Sequence, residues 1–563
     1  MSVTNLSVHL SFLYGADRAT QVLGRVEDLI SKYRGRIQAG AGGLTEQDSI
    51  LITYGDQIQS PDEKPLRTLS AFCEKYLAGV VGGIHFLPFY PWSSDDGFAV
   101  VDYRNVDPDL GGWKDIDSLP GHFRLMFDAV LNHVSSQSEW FKGFLRDEPA
   151  YRDYFIVVEG TPDLSRVVRP RALPLLTSFQ TPSGEKRVWT TFSGDQIDLN
   201  YKNPEVLLEA LDILFSYVEH GATFIRLDAI AYLWKEIGTA CIHLPQTHRV
   251  IQLLRTALDE AAPHVRLITE TNVPQADNLS YFGDGTNEAQ LVYNFALPVL
   301  ILHTFRIGHA GLLSNWAGTL ALPLSSRTTY FNFLASHDGI GLNPAQGILS
   351  SADIKALVDK TLEHGGLISY KQEADGSQSP YELNINYFDA LSNPNGDESL
   401  DVQVSRFMSA QAIMLSLAGV PGIYFHSLFG SRGWMDGVKQ TGRNRTINRQ
   451  KCRLDQLQGD LEDGNSLRAK VFGRYRQLLT ARRRSPAFHP HGDQKVQDIH
   501  PSVFAIERIS PDETSHTLCL HNVGGRQIAF GTNYTSGMDL LTGEPVQLQE
   551  VFLEPYQVLW VNL

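Results

Sequence analysis

Apolar residues in this chain gather into short runs that each close on polar residues. They are ILITYGD (50–56), GGIHFLPFYPW (82–92), FRLMFDAVLNH (123–133), ATFIRLDAI (222–230), VRLITETN (265–272), QLVYNF (290–295), TYFNFLASHD (329–338) and PGIYFHS (421–427). Runs that are continuous rather than alternating predict strands covered on both faces, as in a parallel sheet. Segments of helical length, such as PEVLLEALDILFSYVEHG and THRVIQLLRTALDEAAP, lie between most of them. Strands and helices alternating in this way predict an α/β fold, a (β/α)8 TIM barrel, with a doubly wound open sheet as the runner-up. The barrel is expected over 49–133, 201–338 and 406–484.

Two connections exceed ordinary barrel loops. Residues 134–200, with VVRPRALPLL, read as a subdomain inserted after the third strand. Residues 339–405, with EADGSQSP and SNPNGDES, read as a second insertion after the seventh. Connections of such length tend to be functional. Residues 1–48, for example RVEDLISKYRGRI, read as a charged helical extension. From 485 to 563 the runs SVFAIERI, HTLCLHNV, QIAFGTNY and QVLWVNL alternate between turns, which predicts a small antiparallel β-domain.

Bulk composition changes this picture little. Hydrophobic residues make up 42% of the 563, enough for a large core. A formal net charge of −15 argues against a general nucleic-acid binder and otherwise reads as solubility. Cys73, Cys241, Cys452 and Cys519 form no CxxC pair, so buried free thiols in a reducing compartment are expected. The first residues lack a basic start followed by a long apolar run, and no stretch of 18 apolar residues occurs. The expectation is a cytoplasmic enzyme, monomer or homodimer, with no membrane or nucleic-acid partner.

In a barrel of this kind the active site lies at the C-terminal ends of the strands. The third run ends at Asp128, Asn132 and His133, the fourth carries Arg226 and Asp228, the fifth ends at Glu270, and the seventh ends at His337 and Asp338. Any one of these has an even chance of being a cap or a surface ion pair. Taken together, ionisable residues directly after buried runs must be desolvated or paired, which marks a site. Two carboxylates facing each other across a glycosidic bond suffice to cleave it. Arg226, on the same face of the strand two residues before Asp228, keeps that carboxylate ionised. Glu270 needs a raised pKa to act as the acid. In a retaining enzyme the pair stands roughly 5–5.5 Å apart and the base becomes a covalent nucleophile. Asp338 is then placed to grip sugar hydroxyls.

DAVLNH, FIRLDAI, LITETN and FLASHD together resemble, in order and spacing, the four short motifs of the α-amylase superfamily, glycoside hydrolase family 13. The resemblance implies Asp228 as nucleophile, Glu270 as acid/base and Asp338 as transition-state stabiliser, with His133, Arg226 and His337 lining the glucose subsite. DDGF with VDY (95–98, 101–103), RPRALP (169–174), LDAIAYLWKE (227–236) and NRTINR (444–449) are similar to the sucrose phosphorylase subfamily, most closely its longer glucosylglycerate and glucosylglycerol phosphorylases. That narrower likeness implies that Asp95 and Arg445 hold the outer glucose hydroxyls, that Phe98 packs beside the sugar, and that Tyr232 lies just beyond the nucleophile. Arg171 becomes the candidate phosphate-binding arginine, with Arg169 beside it and Lys439 or Arg443 next in line. Asn132 corresponds to a calcium ligand of many α-amylases, but the sucrose phosphorylase branch is not known for a metal. No metal or cofactor is therefore expected, only a glucoside and inorganic phosphate as co-substrate.

The acceptor is the open question. Glycerol, glycerate, and fructose or its 6-phosphate are the candidates. An anionic acceptor needs a cation beyond the one serving phosphate. Arg432, Lys439 and Arg443 offer one, with Asp436 among them, while Trp434 and Met435 narrow the pocket. On that reasoning the expected substrate is 2-O-α-glucosylglycerol, with glucosylglycerate second. The sucrose or sucrose 6-phosphate phosphorylases and a hydrolase or transglucosidase on the same scaffold are further alternatives. A non-catalytic barrel serving as a partner subunit is the remaining alternative, disfavoured by the presence of the acidic residues and the lack of a membrane anchor.

Overall fold

In the computed structural model eight parallel strands close into a barrel. They are β1 (Ile50–Thr53), β2 (Gly83–Phe86), β3 (Arg124–Ala129), β4 (Ala222–Leu227), β5 (Arg266–Thr269), β6 (Leu291–Tyr293), β7 (Thr329–Phe333) and β8 (Val420–Tyr424). The structure describes all residues except 1, 39, 41, 118, 120, 122, 321–324 and 374–376, so the middle of EADGSQSP lies outside the described residues. β1 pairs with both β2 and β8, which closes the cylinder and rules out the open sheet. Seven predicted runs contain one barrel strand each, the eighth strand starts one residue before its run, and the strands are buried along almost their whole length, as a sheet sandwiched between packed interior and helices requires. Register matters for the chemistry: Arg226 on β4 lies opposite Asp128 on β3 and Ile268 on β5.

The outer helices follow from ordinary end signals. Helix Pro204–Glu219 starts with proline at its first position, and Asn203 caps it by accepting from the Glu205 N–H. Its apolar face, including Leu207, Leu211 and Leu214, is fully buried. Two N-terminal helices, Ser2–Tyr14 and Ala16–Arg34, lay Leu6, Leu10, Val22, Val26 and Ile30 against the barrel helices 204–219 and 245–261.

Residues 134–200 carry helix Glu139–Leu145, the hairpin Leu176–Thr181 with Gly184–Trp189, and strand Gln196–Asp198, which pairs with His133–Ser135. Residues 339–405 carry helix Ser351–Glu363 and the hairpin Leu367–Gln372 with Gln378–Asn384. Beyond the barrel, antiparallel strands from Asp493 to Asn562 form a six-stranded sheet and a two-stranded one. Among the described residues no helix is long and apolar enough to cross a membrane. All four cysteines are buried and unpaired.

Candidate active site

The polar residues that end the strands converge on one pocket. Asp95, Phe98, His133, Asp228, Tyr232, Glu270, His337, Asp338 and Arg445 line it, and Arg171, Tyr381 and Glu382 reach it from the two inserted segments. Arg226 forms its floor. Its guanidinium is buried, bonds the Asp128 carboxylate, lies 2.9 Å from Asp228 Oδ1 and 3.9 Å from Glu270 Oε1. Asp128 is held on its other oxygen by His85 Nε2 at 2.7 Å, with both side chains wholly buried. Asp128 therefore anchors Arg226, and Arg226 in turn positions the two candidate catalytic carboxylates.

Burial pushes both the Asp228 and the Glu270 carboxyls up, since each charged form loses water. Arg226 opposes the shift, and it stands an ångström closer to Asp228. The Glu270 charge also raises Asp228, and the neighbouring Asp338 charge raises both carboxyls. Glu270 also accepts from the Ala229 N–H at 3.2 Å. Ala229 takes a left-handed φ of 48°, unusual for a residue with a Cβ, and this turn aims its N–H at Glu270.

The sugar side is a lattice of ion pairs. Arg445 donates to Asp338 Oδ1 at 2.5 Å and grips Glu382 with two bonds, Nη2 to Oε1 at 2.9 Å and Nε to Oε2 at 3.1 Å. Arg449 donates to the His337 carbonyl at 2.9 Å and to Asp96 Oδ2 at 2.5 Å, and lies 3.7 Å from Asp95. The arginines hold Asp95 and Asp338 well below the usual carboxylate range against the cost of burial. Burial pushes His337 down to about 3, so it is neutral, and it stacks on Phe98 at 4.7 Å. His133 Nε2 faces the Phe98 carbonyl at 2.9 Å, tying the Phe98 backbone to the segment that follows the third strand.

Several expected residues are elsewhere. Arg432 is taken by Asp389 at 2.7 Å and Gln403 at 2.7 Å and does not line the pocket. Trp434 folds over Gly437 at the start of helix Met435–Thr441. Asp436 and Lys439 pair with each other on the exposed side of that helix. The helix turns this stretch outward, so Arg432, Trp434 and Asp436 do not form an acceptor pocket. Arg169 bonds the Leu173 carbonyl and does not line the cavity, whereas Arg171 does.

Asn132 and Asp198 do not fit a calcium ion. Lys235 Nζ donates to Asn132 Oδ1 at 2.7 Å and pairs with Asp198, so the chain's own ammonium fills the place of a cation.

Some contributors were not foreseen. Arg449 lies four residues beyond Arg445 in NRTINR, and that spacing was a usable signal. Glu382, Tyr381 and Asp96 sit in loops or an inserted hairpin, where no periodicity points inward.

Residues 75–339 match the family model for the α-amylase catalytic domain. The chain is 52% identical, over 98% of its own length and 97% of the relative's, to a glucosylglycerate phosphorylase of Allomeiothermus silvanus. It is 45% identical to that of Escherichia coli K12, over 98% and 99% of the two chains. The crystal structure of sucrose 6F-phosphate phosphorylase from Thermoanaerobacter thermosaccharolyticum superposes with a TM-score of 0.75 at 25% identity, covering 91% of this chain and 99% of that one. The chain belongs to the α-amylase superfamily, glycoside hydrolase family 13, and is an enzyme of its glycoside phosphorylase branch. The expectation of 2-O-α-glucosylglycerol is overturned: a glucosylglycerol phosphorylase of Marinobacter adhaerens is only 28% identical over 78% of the chain. That expectation leaned on Trp434 and Met435 narrowing the pocket, and neither lines it.

Proposed function

We propose that this chain is a glucosylglycerate phosphorylase, converting an α-glucoside of glycerate and inorganic phosphate into α-glucose 1-phosphate and glycerate by double displacement. The observation that carries the reading is identity of 45–52% along nearly the whole chain to enzymes of that name. In the first step Asp228 attacks the anomeric carbon, the bond to glycerate breaks, and Glu270 gives its proton to the departing oxygen. In the second, a phosphate oxygen attacks the same carbon, the bond to Asp228 breaks, and the phosphate proton returns to Glu270. Two inversions leave the α-configuration. Asp338, Arg445, Asp95 and His337 hold the glucose ring, and Arg171 serves phosphate. The pairing of Arg226 with Asp228 supports the nucleophile role, and the burial that raises the Glu270 carboxyl supports the acid role. Unpaired buried thiols favour a reducing compartment, and the cytoplasm is the proposed location.

The test is synthesis from α-glucose 1-phosphate with equal D-glycerate, glycerol and fructose. D-glycerate is expected to win by at least about tenfold in kcat/KM, a difference of about 1.4 kcal/mol. Preference for glycerol or fructose would remove the reading. A β-configured product would remove the two-step mechanism.

A further inference from the structure

A second cavity lies where the barrel, the second insertion and the C-terminal domain meet, and none of its lining residues belongs to the active-site pocket. Barrel helix Ala296–Ile307 supplies Phe305 and Arg306. Helix Ser351–Glu363 of the insertion supplies Lys360, with His364 just past its end. Helix Leu400–Ser416 supplies Arg406, and the C-terminal domain supplies Tyr556. The volume is about 300 Å³, at the lower end of the range for small-molecule sites, which favour junctions of this kind.

Charge in the lining is one-sided. Arg306, Lys360 and Arg406 stand against Glu398, the one acid that lines the cavity among the described residues. Glu398 and Arg406 cancel, because Arg406 donates to both oxygens of that carboxylate. Arg306 and Lys360 remain, and their partners Asp353 and Glu363 do not line the cavity. Neither cation is tightly held. Arg306 meets Asp353 at 3.3 Å, and Lys360 meets Glu363 at 2.9 Å in a water-exposed pair. Both can turn to a ligand without stranding an acid. Asp353 still accepts from Ser350 Oγ at 2.6 Å, and the Glu363 side chain is 55% exposed.

The other walls suit a ligand with hydroxyls and an apolar face. His364 is only 5% exposed, and its Nδ1 stands 2.6 Å from the Asp389 carbonyl oxygen, which can only accept. The ring proton therefore sits on Nδ1, and burial lowers the pKa of the ring and favours its neutral form. Nε2 is then a bare acceptor, buried and without a partner among the described residues. Such a group is costly until a donor reaches it. The rings of Phe305 and Tyr556 stack at 6.1 Å and make one wall aromatic. A sugar has hydroxyls to donate and a C–H face to lay on aromatic rings. A phosphate monoester adds about two negative charges, matching Arg306 and Lys360.

We infer that this cavity is a second ligand site, separate from the active site, that binds a small phosphorylated sugar. Arg306 and Lys360 take the phosphate, His364 Nε2 accepts from a hydroxyl, and the ring face packs against Phe305 and Tyr556.

The test is calorimetric titration of the full chain with glucose 6-phosphate, and with inorganic phosphate and glucose as separate arms. The anomeric carbon of the probe bears only a hydroxyl, so no turnover accompanies the titration. Each arm is run on wild type and on the double variant Arg306→Gln with Lys360→Gln, and the binding that the variant removes is the binding to this cavity. Glucose 6-phosphate is expected to bind wild type with a Kd of about 1 mM or tighter, and at least about tenfold more weakly in the variant. The kcat of the variant and its KM values for glucoside and phosphate should stay within about twofold of wild type, which also shows that it is folded; Lys360→Gln alone replaces a double variant that fails this check. Tyr556→Leu should weaken the probe by a smaller factor. Absence of binding to wild type up to about 10 mM overturns the site. So does unchanged binding in the variant, which would place the probe elsewhere. If inorganic phosphate loses as much affinity as glucose 6-phosphate and binds the cavity equally well, the site reads the anion alone, and the sugar assignment falls.

Discussion

The two halves of the pocket are built on different principles. On the glucose side, Asp128, Arg226, Asp228, His337 and Asp338 lie on barrel strands or within five residues of one, and each arginine meets at least one acid. On the acceptor side, Arg171 and Tyr381 come from the inserted segments, and Arg171 has a single ionic partner. On the glucose side strand register, burial and ion pairing preorganise the groups, which is what stabilising a charged transition state requires. The acceptor side can vary in sequence without disturbing the chemistry. This is how one scaffold serves several acceptors.

The sharpest way to break this comparison is Asp228→Asn. The amide keeps the shape and removes the nucleophile, while Arg226 stays anchored by Asp128. Phosphorolysis should fall by at least about four orders of magnitude, as expected when a member of the covalent machinery is lost. The thermal midpoint should stay within about 2–4 °C of wild type, at or above the effect of 1 kcal/mol on a chain this large. Retained turnover would show that the paired glucose side is not where the bond is broken.

Glu270→Gln should come next in size, costing about 10²–10⁴-fold on the glucoside. On α-glucosyl fluoride, whose leaving group needs no proton, the first step should proceed nearly unimpaired. The pH dependence follows from the sign of the shift. Burial raises Glu270, so its acid form survives above the ordinary carboxylate range, and glucoside cleavage declines as pH rises through that raised value. The same decline should be absent from the first step with the fluoride. Equal losses on both substrates, or an alkaline limb shared by both, would take the acid role away from Glu270.

How much of this could be read from the chain follows the same division. The eight strands and the residues at their ends were legible because a buried strand must be a continuous apolar run, and an ionisable group directly after one must be paired. His133, Arg226, Asp228, Glu270, His337 and Asp338 were found that way and do share the pocket, apart from Arg226, which lies beneath it. The acceptor side resisted because loops have no period. Arg432, Trp434 and Asp436 sit close to Arg445 in sequence, yet helix Met435–Thr441 turns that stretch outward, and Asp389 captures Arg432. Glu382, within an inserted hairpin, carried no mark at all and proves to hold Arg445 by two bonds.

Glu382 is also where the comparison can be sharpened most finely, because it belongs to an inserted segment yet serves the glucose side. Only 2% of the residue is exposed, and it accepts from Arg445 Nη2, Arg445 Nε and the Gly339 N–H. An amide of the same shape has one accepting oxygen and a donating nitrogen. In Glu382→Gln that nitrogen would face a guanidinium N–H, leaving one donor unmet inside a buried site. Asp338 would then be the nearest remaining acid to balance Arg445. Arg445 is expected to shift toward Asp338 and to release its hold on the sugar, lowering kcat/KM for the glucoside by about 10–100-fold, or about 1.4–2.7 kcal/mol. With the glucoside saturating, the phosphate KM should change by less than about threefold, since the loss lies on the other side of Glu270. If the phosphate KM rises while glucoside kinetics hold, Glu382 works on the acceptor side, and the boundary between the two halves must be redrawn through Arg445.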